Sequence, residues 1–185
     1  AKEMGYFEEM GIELQMEPGP NEALADIKLV DQGQADVAYP SPGVLTAGID
    51  AGIDTIMVFE MMATQVFDFA VRPDGPIKDI MDLEGATISL GFAGWSVIVD
   101  PILYELGIDP STVEYVAAGQ QWGQMVAQGK ADAALCWRGL RAQWDAIGLG
   151  LKYFIGETFS GMPANGMVCR KSDLEDPEKR DLIIR

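Results

Sequence analysis

At 185 residues and 48% hydrophobic content, the chain is long enough to bury a core as one large domain or two small ones, and too apolar to be disordered. Its formal net charge of −16 argues against nucleic acid or an anionic membrane as partner. Both need clustered Lys and Arg, and here only Arg170-Lys171 and Lys179-Arg180 are adjacent.

In chain order, Lys2–Met10 reads as a helix ended by Gly11, followed by a short strand in which Ile12, Leu14 and Met16 alternate with polar residues. Glu17 to Pro20 is a turn. Asn21 is an expected N-cap for a helix carrying Leu24, Ile27 and Val30 on one face until Gly33. A buried strand over Ala35–Tyr39, a Pro40-Ser41-Pro42 turn, a helix over Gly43–Ala51 and a strand over Thr55–Phe59 follow. Val66–Arg72 alternates as an extended strand and meets Pro73-Asp74-Gly75-Pro76, the most boundary-like punctuation in the chain.

Beyond it the pattern predicts a turn or short helix over Asp79–Gly85, then a strand over Ala86–Leu90 and a helix from Trp95 or Ser96 to Leu106, ended by Gly107. Next come a strand at Val113–Val116, a helix over Gln121–Gln128 and a strand at Ala131–Cys136. A helix over Gly139–Ile147, strands at Leu151–Ile155 and Gly166–Arg170, and a helix over Pro177–Arg185 complete the series. Strand alternating with helix argues for an α/β fold with mainly parallel strands. The first and last helices have no start and no stop, respectively, so both termini read as cut.

The stretch QGQADVAYPSPGV from Gln32 recurs as QGKADAALCWRGL from Gln128, an offset of 96 residues that also matches Gly11-Ile12 with Gly107-Ile108 and Gly52 with Gly148. One supersecondary unit used twice predicts two similar lobes. The expected division is residues 1–71 with 165–185 as a discontinuous first lobe, and 72–164 as the second.

Several ordered segments carry a family resemblance: GYFEEMGIEL, GQADVAYPSPGVLTAG, IMDLEGATISLG, ILYELGIDPSTVEYV and QGKADAALCW. Together they resemble the solute-binding proteins of ABC importers, in the SsuA/THI5-like group that includes nitrate, taurine, alkanesulfonate and thiamine-pyrimidine binders. The resemblance implies a type II periplasmic-binding-protein fold, two lobes joined by two crossing strands and closing on a ligand. It further implies a small-molecule ligand, an ABC permease as partner, a monomer, and a periplasmic or lipid-anchored extracytoplasmic location.

In open α/β sheets a ligand sits beyond the carboxyl ends of the strands, near helix N-termini. In the first lobe that position holds Tyr39 and Ser41, the latter either capping the next helix or offering its hydroxyl to a ligand. In the second it holds the small-residue loop Phe92, Gly94, Trp95 and Ser96, and the repeat-equivalent turn Trp137-Arg138. There an aromatic ring could stack a planar ligand and a guanidinium neutralise a carboxylate or sulfonate. The competing reading makes Trp137 core and pairs Arg138 with a surface acid. Gln120, Gln121 and Trp122, after the strand Val113–Val116, are weaker candidates for contact; Phe67 and Phe69 read as hinge packing, and Asn165 marks the return crossing.

The sequence contains no histidine, which removes the usual general base, the commonest metal ligand and every His-dependent triad. No enzyme activity, metal or cofactor is expected. Cys136 and Cys169 read as free thiols, with a single disulfide the alternative for an exported protein. No apolar run approaches the ~18 residues of a membrane span. The alternative to solute transport is the effector-sensing domain of a transcription regulator, which shares the two-lobe architecture.

Overall fold

The computed structural model of the chain describes residues 2–17, 19 and 24–184. The expected first helix is interrupted at Gly5, whose φ of 75° separates a 3-10 turn (Lys2–Met4) from the short helix α1 (Tyr6–Glu9). Ile12, Leu14 and Met16 alternate as a strand should, yet form none. A strand needs a partner for its N–H and C=O groups, and this segment stays at the surface with Met16 exposed. The expected cap Asn21, and Pro18 and Pro20 of the expected turn, lie outside the described residues.

Helix α2 (Ala25–Asp31) buries Ile27 and Val30, and the chain turns out of it at Gly33 with φ 72°. The strand expected over Ala35–Tyr39 shrinks to a single bridge between Ala38 and Val168. Helix α3 (Pro42–Asp50) leads to β1 (Thr55–Glu60), which pairs antiparallel with β7 (Gly166–Arg170) in a two-stranded sheet. Around this ladder Ile27, Val44, Ile53 and Val168 form a small core.

The second sheet has five strands in the order β4-β3-β5-β2-β6. Its members are β2 (Phe67–Val71), β3 (Thr87–Leu90), β4 (Glu114–Ala117), β5 (Ala133–Trp137) and β6 (Lys152–Phe154). β3 runs parallel to both β4 and β5, and β2 is antiparallel to both β5 and β6. Four strands therefore share one direction, as expected of an α/β sheet, and only β2 is inverted. Helices α4 (Ser96–Leu106), α5 (Trp122–Ala127), α6 (Arg138–Ala146) and α7 (Gly156–Phe159) complete this part.

Both faces of β2 are buried, and its side chains sort by parity. Phe67, Phe69 and Val71 join Ile88, Leu90, Val99, Ile102 and Leu103 in one core. Ala70 faces the other, with Trp122, Val126, Cys136, Leu140 and Trp144. Complete burial of a Phe or Leu side chain stabilises by roughly 1.5–3 kcal/mol, so these two layers dominate the fold.

The boundary expected at Pro73–Pro76 falls after the crossing strand, and Phe67–Val71, grouped with the first lobe from sequence, is an inner strand of the large sheet. The chain passes from small sheet to large over residues 61–66 and returns over 160–165. The two passages are tied together: Asn165 accepts from the N–H groups of Met61 (3.2 Å) and Met62 (3.1 Å), while Ala164 donates to Met62 (2.9 Å).

The 96-residue repeat is kept residue for residue in one pair of helices. α3 begins at Pro42 and ends at Asp50; α6 begins at Arg138 and ends at Ala146. Gly129, the counterpart of Gly33, likewise takes positive φ, at 71°. Beyond β7 an unanticipated helix α8 (Lys171–Glu175) precedes α9 (Pro177–Ile184). Arg170 fixes this end of the chain, donating to the carbonyls of Val30 (2.6 Å) and Ala35 (3.2 Å) and pairing with Asp173 at 2.7 Å. Cys136 and Cys169 are free, buried and in different sheets; burial pushes the Cys136 thiol well above its usual range. Among the described residues no helix is long and apolar enough to cross a membrane.

Candidate functional site

Because β3, β4 and β5 run the same way, their carboxyl ends open onto one edge of the large sheet. That edge receives Phe92 to Ser96 after β3, Gln120 after β4, and Trp137 with Arg138 at the end of β5. β2 is inverted, so its amino end arrives there too, with Phe67 opposite Trp137.

Gly91 lets the loop after β3 fold back, since a Cβ at this position would lie 2.7 Å from the Trp95 ring. Trp95 thereby makes edge contacts with Phe92 at 5.4 Å, Trp122 at 5.7 Å and Trp137 at 6.0 Å between ring centroids. Trp144 adds to the far side of Trp122 at 5.6 Å, which brings all four tryptophans of the sequence into one cluster. Edge-on geometry is what the ring quadrupole favours. Within the cluster the roles divide by burial. Trp122 and Trp144 are core, and the Trp122 indole N–H donates to the Leu135 carbonyl at 2.8 Å. Trp95, Trp137 and Phe92 are half-buried, packed on the protein through part of each ring.

Arg138 opens α6 and is exposed, and it makes no ion pair among the described residues. The competing reading, in which a surface acid pairs with Arg138, has no such acid among the described residues. One turn further, Arg141 is the arginine that pairs, at 2.8 Å from buried Asp68 on β2. Burial pushes the Asp68 carboxyl upward, opposed by the Gly156 N–H and by Arg141, with Glu157 adding to the rise.

Ser41 caps α3, accepting the N–H of Val44 at 3.4 Å, and is 4% exposed. It lines a narrow crevice between the sheets together with Gln65, Phe67, Ile98, Pro101 and Met162. Tyr39 is outside that crevice; its ring is partly exposed and its carbonyl accepts from Asn165 Nδ2 at 3.2 Å. The fold therefore brings Phe92, Trp95 and Trp137 into contact, sets Gly94, Ser96, Gln120 and Arg138 along the same edge, and places Ser41 in the crevice and Tyr39 against Asn165. Phe67 joins the two groups, lying opposite Trp137 and lining the crevice beside Ser41.

Gln65 and Met162 are crevice residues that sequence reasoning missed. Gln65 is buried and its Oε1 accepts the N–H of Phe67 at 3.1 Å. A glutamine directly before an apolar strand was the available signal. Met162 carried none. Among the described residues no group of three or more acidic or sulfur-bearing side chains could hold a metal ion.

This arrangement of sheets is shared by solved solute-binding proteins. The alkanesulfonate-binding protein SsuA from Xanthomonas axonopodis pv. citri, solved bound to MOPS, superposes with a TM-score of 0.67 at 12% identity, over 88% of this chain and 57% of its own. The periplasmic aliphatic sulphonate binding protein SsuA from Escherichia coli gives 0.67 at 15% identity, over 88% and 57%. The substrate-binding protein of an amino acid ABC transporter gives 0.64 at 15% identity, over 96% and 74%. At such identities the likeness is one of fold, that of type II periplasmic binding proteins. The chain spans 57% of the length of each of the two sulfonate binders. No curated protein matches the sequence. The NMT1/THI5-like family model matches residues 1–176, and the chain belongs to that family.

Proposed function

We propose that the chain is the solute-binding part of an ABC importer, taking a small organic anion or planar heterocycle between two lobes and presenting it to a permease outside the cytoplasm. The first lobe is built on the β1–β7 ladder and the second on the five-stranded sheet, with the crossings at residues 61–66 and 160–165 acting as the hinge. One observation carries the reading: at the carboxyl edge of the large sheet, half-buried Trp95 packs on half-buried Trp137, and the next residue along the chain is Arg138, a cation with no ion-pair partner among the described residues. Half-covered rings suit stacking, and an unpaired guanidinium suits a carboxylate or sulfonate. Ser41, Phe92, Gly94, Ser96 and Gln120 complete the contacts, and Tyr39 closes the side next to the hinge.

Binding without turnover fits a chain that has no histidine to serve as general base. Micromolar affinity corresponds to about 8 kcal/mol, within reach of one stacked ring and a few charge-assisted hydrogen bonds. The reading is tested by native mass spectrometry of freshly purified protein. A retained small molecule with an anionic or aromatic group is expected, and loss of that adduct in Arg138→Ala supports the assignment. Retention of the same adduct at full occupancy in Arg138→Ala would remove Arg138 from the site.

A further inference from the structure

We propose that Gly43 of α3 and the Val97 carbonyl of α4 form the latch that sets how closely the two lobes approach. The proposal rests on the two-lobe reading above.

Val97 is the second residue of α4, and its carbonyl would ordinarily accept the N–H of residue 101. Residue 101 is proline, which has no N–H to give. The oxygen is therefore left over from the helix ladder on the side where α3 arrives. A Cβ built on Gly43 would lie 2.0 Å from this oxygen and 3.4 Å from Pro101 Cγ. The α-carbon of Gly43 thus rests against the carbonyl, the geometry of a Cα–H···O contact between helices.

Gly43 is not required by its backbone. It is not among the glycines with positive φ, and it sits at a helix position where alanine would be the better residue. Close approach is the remaining reason for a glycine here. The contact joins the two sheets: α3 packs on β1 of the small ladder, whereas Val99, Ile102 and Leu103 of α4 are buried in the core of the large sheet. Val97 and Ile98 extend the contact by packing against the core that contains Ile27 and Val44. Any side chain at 43 must move the oxygen from 2.0 Å to beyond 3.0 Å, and neither partner is a flexible side chain that could yield. The helices themselves must separate.

The test places spin labels on Ile49→Cys and Tyr104→Cys, both exposed positions on the two helices, in the full chain with its buried native thiols left in place. Distance distributions are read by pulsed electron spin resonance with no small molecule added, so that a failure of the ligand reading leaves this test standing. Gly43→Leu is expected to shift and broaden the distribution, Gly43→Ala to shift it in the same direction by less, and Pro101→Ala to broaden it by returning a helix partner to Val97. Far-UV circular dichroism identifies variants that fold. A Gly43→Leu distribution superimposable on the parent, in a folded protein, would overturn the latch; should that variant not fold, an unchanged distribution in Gly43→Ala does so.

Discussion

Asp68 on the inverted strand β2 holds Arg141 of α6 at 2.8 Å through one carboxylate oxygen and accepts the N–H of Gly156 at 2.8 Å through the other. The carboxylate is almost completely buried, and it ties two helices of the large sheet to the strand on which the chain enters that sheet. The Arg141 Nε–H is not aimed along the contact, so the pair is held as touching charges rather than as an aligned hydrogen bond. Removing one partner of such a pair strands the other. Asp68→Ala is expected to cost about 3–5 kcal/mol, and Asp68→Asn less, because its amide oxygen still accepts from Gly156. Urea unfolding of the two variants measures the difference.

Two buried carboxylates should give opposite pH dependences. Burial raises Asp68, so its native state takes up a proton more readily than the unfolded chain does. Its contribution is fullest below the unfolded carboxylate range and is lost as pH rises through the raised native value. Asp173 is pushed up by burial but pulled down further by Lys179 and Arg170, leaving it below its usual range. Its contribution is present above that range and disappears as pH falls through the lowered native value. Asp173→Asn should therefore flatten the acid limb of the stability profile, and Asp68→Asn should flatten the decline toward neutral pH. Denaturant midpoints taken across the carboxylate range check both signs.

Trp122 is the hub of the aromatic cluster, touching Trp95, Trp137 and Trp144. Trp122→Phe keeps most of the packing but loses the indole hydrogen bond to the Leu135 carbonyl, which still faces Phe69 in the β2–β5 ladder, at about 1 kcal/mol. Trp122→Ala also opens a cavity and should cost about 3–5 kcal/mol. Because the four indoles lie so close together, the emission spectrum of the whole protein should change with either substitution.

Some of this was legible from the residues. The 96-residue offset located α3 and α6, and Gly33 and Gly129 marked the ends of α2 and α5 because only glycine takes positive φ there without strain. Other features were hidden. Asp68 looked like the outward residue of an alternating strand, and nothing near it in sequence announces Arg141 as its partner. Ala35–Tyr39 had the composition of a buried strand, but pairing depends on a distant neighbour, and β7 gives it one bridge. At the candidate site, loop composition located Phe92, Trp95 and Trp137, whereas the division of the tryptophans into core and edge follows from packing across elements. The backbone inversion of β2 likewise has no local signature, and so its place inside the five-stranded sheet is not legible from Val66–Arg72 alone.

Arg138 and Ser41 should separate binding from stability. Arg138 is exposed and unpaired among the described residues, so Arg138→Ala should leave the unfolding midpoint unchanged while weakening an anionic ligand by about tenfold or more, the worth of one charge-assisted hydrogen bond. Ser41→Ala should lower stability by about 1 kcal/mol or less through loss of a long N-cap bond. Calorimetric titration alongside thermal unfolding of both variants distinguishes the two roles.

The most direct measurement of the central claim is an intrinsic-fluorescence titration of the protein with MOPS, short-chain alkanesulfonates, small carboxylates and pyrimidines. The account predicts a saturable change with at least one of these, shifted to about tenfold or more higher concentration in Arg138→Ala and altered in Trp137→Phe. A folded protein whose emission responds to none of them, or responds equally with Arg138 and Trp137 replaced, would contradict it.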